Sequence, residues 1–125
     1  MKSDKPDFIC LNFANPDMVG HTGVFSAIVK AVETVDNCLV EIVNEGTKIG
    51  YEFIVIADHG NADLAINPDK TPNTAHTTNP VPIILISEDQ NLKVSNGKLA
   101  DIAPTILKRL GIVPPSEMDG KSLIH

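Results

Sequence analysis

The sequence is poor in basic residues, cysteines and long apolar runs. Its 125 residues contain 10 lysines and arginines against 16 aspartates and glutamates, a formal net charge of −6. Nucleic-acid binders usually present a basic surface to the phosphate backbone, so no nucleic-acid partner is expected. No apolar run approaches the roughly 20 residues that a membrane-spanning helix needs, so no membrane partner is expected either.

The two cysteines also narrow the class of protein. Cys10 falls in an apolar strand pattern and Cys38 in a helical pattern, which favours reduced structural thiols over a redox pair or a metal site. The first residues, MKSDKPDF, lack the apolar region of a signal peptide. These features predict a cytoplasmic protein, long enough to form one ordinary domain with a core.

Short apolar runs alternate with helical patterns along the chain. The runs FICLNF (8–13), EFIVIA (52–57) and VPIILI (81–86) predict three buried strands. A helix is predicted between Thr22, as N-cap, and Gly46, as stop. Its apolar face contains Ile28, Val32, Val35, Leu39 and Ile42.

A second helix is predicted in LADIAPTILKRLG, with Asp101 as N-cap and Gly111 as the stop. Pro104 then falls in the first helical turn, where no N–H partner is lost. Strands that alternate with helices predict an α/β fold, with a mainly parallel sheet and flanking helices.

Ligand-type side chains lie where the predicted strands end. Asp17 and His21 follow the first strand, Asp58 and His59 follow the second, and His76 lies in the loop before the third. In open α/β sheets ligands bind beyond the carboxyl ends of the strands, so one rim is expected to collect all five. Imidazole nitrogen and carboxylate oxygen suit Zn²⁺, Mn²⁺ or Fe²⁺, and the lack of a nearby cysteine disfavours a closed structural zinc site.

Each of these residues also has a plainer interpretation. Asp17 and His21 are four residues apart and could share a helical face, although Pro16 and Gly20 fit a tight loop equally well, with Asp17 as its cap. The Asp-His-Gly at 58–60 could be an ordinary turn, and His76 a solvated loop residue. The remaining aspartates of this loop are predicted to be solvated: Asp63 and Asp69. The metal site is therefore inferred from the joint placement of the five residues.

Five segments carry a resemblance to a known family. The segments LNFANPDMVGHTG, ADHGNAD, AHTTNPVPI, DIAPTIL and EMDGKSLI resemble the C-terminal part of the cofactor-independent phosphoglycerate mutases, within the alkaline phosphatase superfamily. DHG and DIAPT recur across that superfamily, including its sulfatases and phosphopentomutases. NPDMVGHTG, DHGNAD and HTTNPVP are more specific to the mutases, and the match runs in order along nearly the whole chain.

The resemblance implies a site with two Mn²⁺ ions. Asp17, His21 and His76 resemble the ligands of the first ion, and Asp58 and His59 resemble ligands of the second. In the family an aspartate and a nucleophilic serine complete the second site, and neither has a counterpart in this chain. No catalytic nucleophile is therefore expected here.

The resemblance further implies that residues 1–125 are the C-terminal part of a metal-binding, phosphatase-like domain. The inserted domain that supplies substrate arginines in the family is absent, since the single arginine, Arg109, falls in the last helical pattern. The whole enzyme is expected to interconvert 3-phosphoglycerate and 2-phosphoglycerate through a phosphoserine, in glycolysis and gluconeogenesis. The chain alone is expected to be inactive.

Two alternative identities for the chain remain open, and a partial domain would have one structural consequence. The chain could belong to another superfamily hydrolase or a phosphopentomutase, or be a non-enzymatic α/β module. A partial domain would leave a strand edge and apolar surface uncovered, and such edges pair readily with another chain. We therefore expect self-association, against the alternative that the chain buries enough apolar area to stand alone.

Overall fold

The chain divides into two compact units in the computed structural model, which describes residues 5–125. The larger unit is Phe13–Gln90, and the smaller joins Asn91–His125 to the described residues up to Asn12. The helices and strands, in chain order, are α1 (Asn15–Gly20), α2 (Phe25–Lys48), β1 (Phe53–Ile56), β2 (Ile83–Ile86) and α3 (Ile102–Arg109). Within the described range, no helix is both long and apolar enough to cross a membrane.

Helix α2 confirms the helix predicted from apolar periodicity, with shifted ends. Its N-cap is Val24, whose N–H donates to the hydroxyl of Thr22 at 3.2 Å. The helix continues past Gly46. Gly46 serves close packing, because a Cβ there would overlap the ring of Phe53. The left-handed backbone that favours glycine occurs after the helix, at Gly50, where φ is +85°.

The predicted parallel sheet is not confirmed. Strands β1 and β2 pair antiparallel, with Phe53 opposite Ile86 and Ile56 opposite Ile83. The short apolar runs identified the positions of both strands, but the predicted burial is wrong: the strand residues are half-buried or exposed, and Ile84 is 50% exposed. Strand direction depends on the partner and is not encoded in a single run. The run at residues 8–13 forms no strand, contrary to prediction, and Cys10 within it is exposed. A strand needs a neighbouring backbone for its N–H and C=O groups, and apolar side chains do not supply one.

Helix α3 begins and ends where the sequence predicts. Asp101 is the residue before the helix, Pro104 lies buried in its first turn, and Gly111 follows with φ of +73°. The Asp101 carboxylate does not cap α3 itself. It accepts a hydrogen bond of 2.9 Å from the N–H of Lys98, which closes the 3-10 turn before the helix.

Asp101 also ties the C-terminal segment to α3 within the smaller unit. Its second carboxylate oxygen accepts the N–H of Lys121 at 2.9 Å. The buried hydroxyl of Thr105 donates to the Asp101 carbonyl at 2.6 Å and accepts the N–H of Leu123 at 2.9 Å. One buried carboxylate and one buried hydroxyl thus join three backbone segments.

These contacts predict a pH-dependent contribution of Asp101 to stability. Hydrogen bonds from the N–H groups of Lys98 and Lys121 lower the pKa of the buried Asp101 carboxyl in the folded chain. A lowered pKa means that the stabilisation is fully present above the unfolded value, about 3.9, and is lost as the pH falls through the folded value. Asp101→Asn should lower the melting temperature by several degrees near neutral pH, and the difference from wild type should narrow at acidic pH.

Thermal unfolding followed by circular dichroism across the acidic range measures this difference. Asp119→Asn is the matched control, because Asp119 is an exposed carboxylate of the same unit. A melting-temperature difference between Asp101→Asn and wild type that stays constant with pH would contradict the assignment.

Candidate metal centre

Helix α1 places Asp17 and His21 on one face. Pro16 occupies the first helical turn, where the missing N–H has no intrahelical role. Residues four apart then lie one above the other, and Asp17 Oδ1 is 3.3 Å from His21 Nε2. Of the two interpretations left open by the sequence, the helix is the one observed.

The antiparallel sheet brings His59 and His76 together. The carboxyl end of β1 lies beside the amino end of β2, so the loop between them leaves and returns at the same end of the sheet. Within this loop the N–H of Thr77 donates to the carbonyl of Gly60 at 2.8 Å. The preceding residues, His59 and His76, stack with ring centroids 3.7 Å apart and planes 17° apart. The predicted rim therefore arises from antiparallel pairing instead of parallel strands.

Three donor atoms converge at the spacing of a metal site. His76 Nε2 lies 3.0 Å from Asp17 Oδ1 and 3.3 Å from His21 Nε2. With the 3.3 Å between Asp17 and His21, the three atoms form a nearly equilateral triangle. A tetrahedral ion with bonds of about 2.1 Å separates its ligands by about 3.4 Å, so the arrangement fits a divalent cation. We call Asp17, His21, His59 and His76 the ligand cluster.

The orientation of His21 is set by a backbone carbonyl. His21 Nδ1 lies 2.7 Å from the oxygen of Thr74, which can only accept, so Nδ1 carries the proton. In the neutral ring, Nε2 then carries a lone pair that can bind a cation, on the side of the ring that faces Asp17 and His76. A second group that fixes a ring in this way is typical of histidines that bind metals.

Asn61 orients the carboxylate of Asp17. Its Nδ2 donates to Asp17 Oδ1 at 3.1 Å, and the residue is buried. Gly20 makes this contact sterically accessible, because a Cβ on Gly20 would overlap the Asn61 side chain. Sequence reasoning missed Asn61, and its only available signal was its position directly after Asp-His-Gly.

His59 joins the cluster more closely than Asp58 does. One donor atom each from Asp17, His59 and His76 lie within 4.8 Å of one another. The Asp58 side chain is 83% exposed, and its Oδ1 accepts the N–H of His59 at 3.1 Å and lies 3.6 Å from His59 Nε2. The stacking of His59 on His76 makes the predicted ligands one continuous group, with Asp58 at its edge.

The two aspartates predicted to be solvated are both exposed, but they differ in their partners. Asp69 accepts the N–H and the hydroxyl of Thr71 at 3.0 and 2.6 Å, within its own turn. Asp63 instead accepts Asn79 Nδ2 at 2.6 Å and the Thr77 hydroxyl at 3.0 Å. The hydrogen bond from Asn79 has the larger effect and that from Thr77 the smaller, and together they hold the pKa of Asp63 below its ordinary value.

Comparison of the sequence with known proteins finds similar chains in a family of enzymes. A sequence model of the metalloenzyme superfamily matches residues 1–114. Three curated proteins that match are each named 2,3-bisphosphoglycerate-independent phosphoglycerate mutase. The one from Bacteroides fragilis is 54% identical over 124 residues, covering 99% of this chain and 25% of the relative. Those from Flavobacterium psychrophilum and Clostridium botulinum are 54% and 52% identical over 125 residues, again covering 99% of this chain, and 24% and 25% of the relatives. The chain thus spans about a quarter of the length of these relatives.

Proposed function

The chain belongs to the metalloenzyme superfamily, and from this premise we propose that it is the metal-binding C-terminal part of a cofactor-independent phosphoglycerate mutase. The observation that supports this most directly is the convergence of Asp17, His21 and His76 at 3.0–3.3 Å. The match to the metalloenzyme superfamily supports metal-dependent chemistry. The relatives that are about half identical to the chain are named as phosphoglycerate mutases, which supports the reaction proposed.

Under this proposal residues 1–125 contribute to a phosphatase-like domain whose other parts, and whose substrate-binding inserted domain, lie in other segments of a longer enzyme. The coverage of about a quarter of each relative supports it. The whole enzyme would interconvert 3-phosphoglycerate and 2-phosphoglycerate in glycolysis and gluconeogenesis, in the cytoplasm.

Each ligand residue has a defined part in this proposal. Asp17, His21 and His76 would hold one Mn²⁺, and Asp58 and His59 would contribute to a second. Two divalent ions supply charge neutralisation to the attacking and leaving oxygens of a phosphoryl transfer. The residues of this chain would orient the ligands. The carbonyl of Thr74 holds the ring of His21, and Asn61 donates a hydrogen bond to the carboxylate of Asp17.

The nucleophile is not among the groups that this chain supplies. Phosphoryl transfer through a phosphoserine needs an activated serine close to the ions. In the unit that contains the ligand cluster, Ser26 lies on α2, and Ser87 donates to Glu52 at 2.6 Å. The proposal therefore places the serine in another segment of the parent enzyme.

A chimeric enzyme tests the proposal. The matched 124-residue stretch of the Bacteroides fragilis mutase is replaced by this chain, and conversion of 3-phosphoglycerate is measured in a coupled assay with Mn²⁺. We expect an active chimera, and no turnover from this chain alone, because it lacks the nucleophile. The same chimera with Asp17→Asn should lose activity.

Two outcomes would contradict the proposal. One is sustained mutase turnover by the purified chain alone. The other is a folded, Mn²⁺-loaded chimera that hydrolyses phosphate esters but does not form 2-phosphoglycerate, which would favour another hydrolase of the superfamily.

A further inference from the structure

We propose that Asp63 is a positioning residue that holds the His76 loop against the His59 loop and thereby sets the metal affinity of the ligand cluster. The inference rests on the proposed function, because it requires a divalent cation at the cluster. It concerns a carboxylate that lies outside the cluster and that sequence reasoning assigned to solvent.

The carboxylate of Asp63 accepts hydrogen bonds from two side chains of the segment that follows His76. Its two oxygens lie 3.2 and 3.0 Å from the Thr77 hydroxyl, and Oδ2 accepts Asn79 Nδ2 at 2.6 Å. Asp63 itself lies on a 3-10 turn, Ala62–Leu64, shortly after His59. One side chain therefore connects the two loops that carry His59 and His76.

The backbone allows these loops to approach closely. Thr77 pairs with Gly60 through a 2.8 Å hydrogen bond. A Cβ on Gly60 would overlap the Thr77 hydroxyl and come within 2.7 Å of Asp63 Oδ1. The space between the loops is thus filled by the Thr77 hydroxyl and the Asp63 carboxylate, and it exists because residue 60 has no side chain.

The position of His76 follows from that of Thr77. The two residues are consecutive, and His76 Nε2 contacts both Asp17 and His21. Without the Asp63 carboxylate, Thr77 keeps its backbone hydrogen bond to Gly60, but the Thr77 and Asn79 side chains lose the carboxylate that accepts from both. His76 should then spend less time in the geometry that completes the donor triangle, and each metal-binding event must restore it.

A plainer explanation is that any nearby negative charge attracts a cation. Asp69 separates the two explanations, because it is an exposed carboxylate of the same loop. Its side-chain oxygen accepts hydrogen bonds from Thr71, within its own turn, and the loop that carries His59 is not involved. Asp63→Asn and Asp69→Asn remove the same charge, but only the first replaces one of the two oxygens that accept from Thr77 and Asn79 by an NH₂ group, which cannot accept.

Titration of the full chain with Co²⁺, followed in the visible spectrum, and with Mn²⁺, followed by electron paramagnetic resonance, measures the affinity. We expect Asp63→Asn to weaken binding by about 10- to 100-fold, the range typical of residues that orient metal ligands. Asp69→Asn should change it by less than about threefold. In the metal-free chain the ¹⁵N imidazole signals of His76 should shift in Asp63→Asn and stay in place in Asp69→Asn.

Thr77→Val provides a second test that leaves every charge in place. It removes the hydroxyl donor with little change in volume, and should weaken binding by part of the Asp63→Asn effect. The double variant should bind no more weakly than Asp63→Asn alone, since both changes break one contact. If Asp63→Asn does not fold, Thr77→Val alone decides: unchanged affinity and an unchanged His76 signal would overturn the inference.

The results separate this inference from the proposed function. A wild-type chain that binds neither Co²⁺ nor Mn²⁺ would overturn the metal site and, with it, the role of Asp63. A wild-type chain that binds both, while Asp63→Asn binds equally well or Asp69→Asn is weakened as much, would overturn the role of Asp63 and leave the metal site intact.

Discussion

His76→Ala should bind Mn²⁺ more than about 100-fold more weakly than the wild-type chain, an effect beyond that of residues that only orient ligands. The imidazole of His76 contributes the donor atom that is 3.0 Å from Asp17 and 3.3 Å from His21. It also stacks on His59, so its loss removes a proposed ligand and the packing of its neighbour. Isothermal titration calorimetry at fixed pH measures the change.

His125→Ala is the control for this experiment. His125 is the one histidine outside the ligand cluster, and its described contacts are backbone hydrogen bonds to Lys93, which alanine retains. We expect His125→Ala to bind Mn²⁺ as the wild type does. Equal loss of affinity in the two variants would show that the ion binds without a defined site, and unchanged affinity in His76→Ala would remove His76 from the site.

The chain is expected to self-associate as its concentration rises, with a second copy of itself as the partner. Strands β1 and β2 form a two-stranded sheet with no further strand in the described part of the chain. A two-stranded sheet is marginally stable alone, and both strands, FIVI and IILI, lack the charges that protect strand edges. Helix α2 adds exposed apolar side chains, including Phe25, Val29 and Val32.

Sedimentation velocity at several concentrations tests this expectation. Val32→Lys should shift the distribution toward monomer, because it places a charge on the apolar face of α2, where Val32 is 44% exposed. Thr34→Lys adds the same charge to an exposed position of the helix outside the predicted apolar face and should leave association unchanged. A single monomeric species up to high micromolar concentration would contradict the expectation, because it would show that the chain is stable without covering its strand edges and apolar surface.

Local patterns determined the parts of this protein that depend on neighbours in sequence. The spacing of apolar residues identified α2 and α3, short apolar runs identified β1 and β2, and the place of Pro104 in the first turn of α3 followed from helix stereochemistry. The motif resemblance pointed to the family that the comparisons show. Placement at the ends of predicted strands selected five ligand-type residues, of which Asp17, His21, His59 and His76 lie together in the structure.

Tertiary structure decided what depends on partners distant in sequence. The direction of β1 relative to β2, the absence of a strand at residues 8–13, and the route by which His76 reaches His21 all require knowledge of which backbones meet. The same holds for Asn61 and Asp63, whose roles come from contacts 44 and 14–16 residues away. Neither residue belongs to a repeating pattern in the sequence. What each of them orients is therefore visible only when the two loops are seen side by side.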